Sequence, residues 1–157
     1  MESKASQKRK IPKIPSKKLA NLCLLDDIIF SGYMDDNAPA VETILRIVLD
    51  MPDIRVSKVH AQKPLKSGQF KGKGARLDVL AVDEHGNKYD IEVQNANTGD
   101  LPRRARYYLS LLTATSLGRG KSYNSLKPCY VIFLTKGDVF GEGEPVYWFQ
   151  MAREKRW

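Results

Sequence analysis

Two short β-rich runs with alternating apolar and polar residues, Val79–Val82 and Tyr89–Val93, flank Glu84-His85-Gly86, and that spacing constrains the fold more than any other feature. A three-residue loop with glycine in the left-handed conformation joins antiparallel strands into a hairpin. Such a loop pairs Asp83 with Asn87. Counting back along the ladder sets Asp78 opposite Glu92, with Gln94 two residues further on the same face. The other face receives Leu77, Val79, Ala81, Tyr89, Ile91 and Val93. A slip of one residue would place Leu77, Val79 and Ala81 opposite Asp90, Glu92 and Gln94, mixing apolar and charged side chains on both faces. The register that builds a core therefore also builds an acidic cluster.

Like charges facing each other across a sheet destabilise it, so Asp78 and Glu92 call for a compensating cation or a raised pKa. Magnesium suits an all-oxygen site with one or two carboxylates, and manganese is a possible substitute. The plainer alternative is that Asp78, Asp90, Glu92 and Gln94 form the wet face of a half-exposed sheet, with Lys88 softening their repulsion.

Charge bears on the choice. The chain carries a net +8 with a pI near 9.5, and carboxylates inside a basic protein suit an enzyme that attracts a polyanion yet holds a metal. The excess is uneven, because residues 1–18 carry seven Lys or Arg against one Glu, leaving +2 for the remaining 139 residues. Pro12, Pro15 and the lack of apolar periodicity predict a disordered basic tail over 1–18, serving as a phosphate-binding arm or a solubilising terminus, followed by one domain over 19–157. The tail has no apolar segment of the secretory kind. The longest apolar runs fall far short of a membrane span, so the expected location is cytoplasmic and nucleoid-associated. Cys23 and Cys129 lack metal-ligand spacing and read as thiols in a reducing compartment. Neither His60 nor His85 carries a catalytic pattern.

Pro102 at a first turn and Gly118 and Gly120 beyond a last one predict a helix over 101–117, with Asp100 as its cap. Arg104 and Tyr108 lie one turn apart on it. Arginine grips phosphate bidentately, and a tyrosine can contact backbone or base, although either Tyr107 or Tyr108 could pack beside Leu112 instead. Elsewhere the pattern predicts a helix over 39–50 with Val41, Ile44, Leu45, Val48 and Leu49 as its buried stripe. Strands are expected over 54–61, 128–135 and 145–150, the second of them central because both its faces are apolar. A loop over 63–74 carries four lysines, among them Lys71 and Lys73, that could close over a nucleic-acid backbone.

Asp78 and Glu92-Val93-Gln94, followed by Leu101-Pro102-Arg103-Arg104-Ala105-Arg106-Tyr107-Tyr108, Gly120-Lys121-Ser122-Tyr123 and Leu126 to Phe133, resemble the PD-(D/E)XK nuclease family transposases, or Rpn-type recombination-promoting nucleases. The resemblance runs from about Asp26 to Gln150. It implies an α/β, restriction-endonuclease-like core, a mixed β-sheet with an antiparallel catalytic hairpin flanked by helices. It implies a Mg2+-dependent DNA endonuclease tied to transposition or recombination, with DNA as partner, a possible homodimer and no organic cofactor. By position, Asp78 and Glu92 correspond to the metal-binding acids. Gln94 stands where the wider superfamily has lysine; it can orient water but supplies no positive charge. Arg104 or a second cation would then supply that charge, with Tyr108, Arg103, Lys71 and Lys73 on the DNA side. An acid on the first core helix often assists such sites. Glu42 is the candidate here, although an exposed i,i+4 pair with Arg46 is the more ordinary explanation. Family members generally continue past residue 157, which implies a C-terminally truncated copy of a mobile-element gene. Two other readings are an inactive DNA-binding remnant, and an interaction module using Tyr147-Trp148-Phe149.

Overall fold

The structure is a computed structural model that describes residues 23–65 and 74–151. The basic tail, Lys66, Lys71 and Lys73 lie outside the described residues. In chain order come α1 (Asp27–Met34), α2 (Ala38–Leu49), β1 (Val56–Leu65), β2 (Ala75–Asp83), β3 (Lys88–Gln94), α3 (Leu101–Ala114), a 3₁₀ turn (Tyr123–Ser125) and β4 (Cys129–Thr135). The four strands form one sheet in the order β1-β2-β3-β4. The first three are antiparallel and β4 runs parallel to β3. Parallel neighbours need a crossover, and α3 supplies it.

Helices cover both faces. Phe30 and Met34 from α1 and Val41 and Leu45 from α2 pack with Val59, Val79, Ala81, Tyr89, Ile91 and Ile132. On the opposite face Leu112, with Tyr108 and Leu111 beside it, closes over Leu65, Ala75, Leu77 and Leu80. The expected helix over 39–50 is α2, where Asn37 caps by accepting from the Ala40 amide at 3.3 Å and Pro39 occupies the first turn. The short α1 was not expected. Phe30 and Met34, at i,i+4 spacing, are the only buried apolar residues among its eight, and two anchors are too few to reveal a period.

Four expectations need correction. β1 extends to Leu65, taking Lys63–Leu65 out of the lysine-rich loop. β4 is the last strand of the described sheet rather than a central one. Its two apolar faces arise because α3 lies over one and the stacked Tyr89–Tyr130 rings, 5.1 Å apart, lie on the other. Residues 145–150 form no strand. Asp138 gathers the amides of Phe140, Gly141 and Gly143 and the Tyr147 hydroxyl, so the chain curls over 138–147 instead of extending. Finally, α3 stops at Ala114, and Asp100 makes no side-chain cap; its carboxylate accepts from the Thr98 hydroxyl.

Candidate active site

The hairpin adopts the predicted pairing, but Leu77, expected on the face of Val79 and Ala81, packs with Leu80 and Leu112 on the other, because the β2–β3 ladder ends at Val79. Val79 pairs with Ile91, Leu80 with Asp90, Ala81 with Tyr89 and Val82 with Lys88, and Gly86 takes a left-handed φ of 83° in the loop. One step beyond the Val79–Ile91 pair, Asp78 and Glu92 stand across from each other. There the main-chain ladder gives way to side chains. The Asp78 amide donates to Glu92 Oε1 at 2.9 Å, and the Val93 amide donates to Asp78 Oδ2 at 3.1 Å. Each carboxylate thus satisfies a backbone N–H of the opposite strand, and β3 turns its pairing to β4, with Glu92 beside Phe133 and Gln94 beside Thr135. On the other flank of β2 the β1 ladder skips Gln62, which sits at a φ of 52° and takes a hydrogen bond from Arg76. A non-glycine residue in that region carries strain, a common mark of functional sites.

Burial sets the electrostatics. Desolvation raises the Asp78 pKa, reinforced by the charge of Asp27 and opposed by the Val93 amide, Arg104 and Arg76. Desolvation likewise raises Glu92, with Asp78 adding to the rise and the Asp78 amide and Arg104 opposing it. Between them in sequence lies Asp90, completely buried, whose two carboxylate oxygens have no hydrogen-bond donor. Its pKa is driven well above the carboxylate range by burial first and by the Glu92 carboxylate second. Two adjacent buried carboxylates cannot both ionise cheaply, so the pair favours a shared proton or a cation close by.

Two residues of the site were not singled out from the sequence. Asp90 looked like one more polar position on a wet face, and only its complete burial, on a strand flanked by β2 and β4, distinguishes it. Asp27 opens the unexpected α1. Asn95, just past β3, donates to the Leu25 carbonyl at 2.8 Å and so ties the start of α1 to the acidic end of the hairpin. Glu42 is not gathered there. Its Oε2 lies 2.6 Å from Arg46 and its Oε1 accepts from the Val56 amide at 2.9 Å, which fastens α2 to the start of β1.

Arg104 does converge on the site. Its guanidinium donates to Gln94 Oε1, lies 5.2 Å from the Phe133 ring centre and 5.7 Å from that of Tyr108, and partly offsets the upward pKa shifts of Asp78 and Glu92. Tyr108 is committed to this stack and to the α3 core. Arg103 is exposed on the first turn of α3.

The donor set, carboxylates with no nitrogen or sulfur among them, fits a hard divalent cation. Asp78 and Glu92 would hold it. Among the described residues no group of three or more His, Cys, Asp or Glu is arranged to bind a metal, so water would complete the shell, as is usual for magnesium.

A mixed sheet with helices on both faces and an acidic, splayed hairpin defines a restriction-endonuclease-like α/β domain. The chain belongs to the PD-(D/E)XK nuclease family transposases, whose family model matches residues 29–150. Membership places it among nuclease- and transposition-related proteins that act on DNA, in a superfamily that generally uses divalent metal ions. No significant match occurs among curated proteins or solved structures. Among the described residues no helix is long and apolar enough to cross a membrane.

Proposed function

We propose that the protein is a Mg2+-dependent DNA endonuclease, with Asp78 and Glu92 as the metal-holding acids. The observation that carries this reading is the parting of β2 from β3 at two facing, partly desolvated carboxylates, with the donorless Asp90 beside them. Clustered, desolvated carboxylates with so few donors are unfavourable unless a cation or proton relieves them. When bound, the divalent ion supplies Lewis-acid chemistry to phosphodiester hydrolysis, and Mn2+ has the same preference for oxygen donors. Asp27 adds negative potential at Asp78 from the helix layer. Arg104 and the exposed Arg103, both on the first turn of α3, face the phosphates, where a guanidinium binds bidentately and holds the scissile group for in-line displacement.

The test is cleavage of supercoiled plasmid with Mg2+, with EDTA and Asp78→Ala as controls. Nicking that disappears in both controls supports the reading. Because two acids alone converge as ligands, a second reading is a chain that binds DNA without cutting it. Salt-sensitive binding with intact plasmid under every divalent ion tried would establish that one and remove the first.

A further inference from the structure

Gln94 stands at the strand position where related nucleases carry a lysine, yet its amide does not point freely into the site. Its Nε2 donates to the Ala96 carbonyl and its Oε1 accepts from Arg104 Nη1. These two bonds fix which end of the amide faces which partner, a point otherwise ambiguous for glutamine. The guanidinium is fixed on its remaining sides as well. Phe133, the β4 partner of Glu92, and Tyr108 both lie within 6 Å of it, with their own rings 6.1 Å apart. Rings placed this way attract a cation and restrict its rotation. Among the described residues Arg104 makes no ion pair within 4 Å, although its charge reaches Asp78 and Glu92. Only one of its five N–H donors is spent on Gln94, so the others are available to an anion.

We infer that Gln94 is a positioning residue that holds Arg104 against Phe133 and Tyr108, and that Arg104 supplies at the scissile phosphate the positive charge that related nucleases place on their strand lysine. This rests on the nuclease reading and gives Gln94 a task other than orienting water. The charge has moved from the strand to the first turn of the following helix, and the glutamine left behind is the acceptor that aims it. Glutamine suits this better than lysine would, because a lysine at 94 would repel the guanidinium.

The test has two arms, one of which does not depend on cleavage. In 15N-edited NMR of the full chain, the Arg104 guanidinium should show resolved, slowly rotating Nη–Hη resonances. Gln94→Ala should average them, and Gln94→Glu, which keeps an acceptor, should preserve them. Averaged resonances in the unaltered protein, or resolved ones in Gln94→Ala, overturn the tether. In single-turnover cleavage with Mg2+, Arg104→Ala should slow the reaction about 100-fold, in line with the loss of one preorganised group at developing charge. Gln94→Ala should slow it about 10-fold, the double variant should be no slower than Arg104→Ala, and Gln94→Lys should restore part of the rate lost in Arg104→Ala. Multiplicative losses would show that the two residues act separately and overturn the proposal. If the unaltered chain cuts nothing, the nuclease reading falls and takes the catalytic half of the inference with it, whereas the NMR arm still decides the tether.

Discussion

The two ends of a single hairpin treat buried carboxylates in opposite ways. At the turn, Asp83 is 4% exposed and receives four donors: the His85 amide at 2.9 Å, the Asn87 amide and side-chain amide each at 2.8 Å, and the Tyr89 hydroxyl at 2.9 Å. Burial pushes its pKa upward, but these donors outweigh burial and hold it below the usual carboxylate value. At the open end, Asp90 is 0% exposed with no donor at all, and Asp78 and Glu92 share its upward shift. Asp83 and Asp90 are seven positions apart along the chain, yet one carboxyl is a structural rivet and the other is left without a donor, its pKa raised by burial. Burial alone does not mark an acid as a candidate site residue; burial without partners does, because a partner from outside the fold would relieve it.

The largest expected effect divides activity from stability. Asp78→Asn or Glu92→Gln should lower Mg2+-dependent cleavage on the order of 10³-fold or more while leaving the melting temperature unchanged or higher. Asp83→Asn should lower the melting temperature and leave the turnover of the folded fraction near its original value. The comparison breaks if cleavage survives at Asp78 and is lost at Asp83 in protein that remains folded.

Next in size is the rivet itself. Asp83→Ala removes the acceptor from four donors, one of them the hydroxyl of the fully buried Tyr89. A buried donor left unpaired costs about 1–3 kcal/mol, and the turn loses its Asp83 bonds as well, so urea denaturation should show a loss of about 2–4 kcal/mol. Tyr89→Phe in that background should recover part of it by removing the stranded hydroxyl. A loss below about 0.5 kcal/mol, the level of an ordinary surface change, would show that the satisfied end is not where the hairpin gains its stability.

Neutralising the other acid should have the reverse sign. Asp90 and Glu92 have pKa values raised above those of the unfolded chain, so the native state binds more protons than the unfolded state from about pH 4 upward. Stability therefore falls as pH rises through that window toward the raised native values. Asp90→Asn should stabilise the metal-free protein on the order of 1–3 kcal/mol at pH 8, with the gain shrinking toward pH 4. Mg2+ should raise the melting temperature of the unaltered protein more at pH 8 than at pH 5.5. Stability of the metal-free protein that rises from pH 5 to pH 8, with the rise lost in Asp90→Asn, would contradict the upward shifts.

Which of these residues the sequence reveals follows from how local their causes are. The register, and with it Asp78 opposite Glu92, is fixed by a three-residue loop and by alternation over nine residues, both readable within one stretch. Arg104 over Tyr108 follows from the helical repeat. Asp90 could not be singled out, because its burial depends on β2 and β4 flanking β3 in the sheet and on the helices that cover it, a long-range event. The link between Gln94 and Arg104 is hidden for the same reason, since nothing in the spacing of residues 94 and 104 tells which way an amide turns. The absence of a strand over 145–150 shows the limit from the other side. Val146, Tyr147, Trp148 and Phe149 have strand propensity, but Asp138 captures the Tyr147 hydroxyl and the amides before it, and tertiary hydrogen bonding overrides propensity.

The smallest effects test whether the two ends also differ in backbone. Gly86 at the turn has a φ of 83° and Gly99, between the acidic end and α3, has one of 70°. An added Cβ would meet only Lys127 Cγ at 3.8 Å in the first case and nothing within 4 Å in the second. Neither alanine variant suffers a clash, so each should lose about 1 kcal/mol, the cost of holding a side-chain-bearing residue at positive φ. Their effects on cleavage should part. Gly86→Ala acts at the riveted end, where Asp83 holds the loop, and single-turnover cleavage should be unchanged. Gly99→Ala acts on the joint that delivers Arg104 to Gln94, so a shift of α3 to relieve the strain moves the guanidinium off the site, and cleavage should slow severalfold. Equal cleavage in the two variants would mean that α3 is positioned by its packing on β4, with the Gly99 joint merely following.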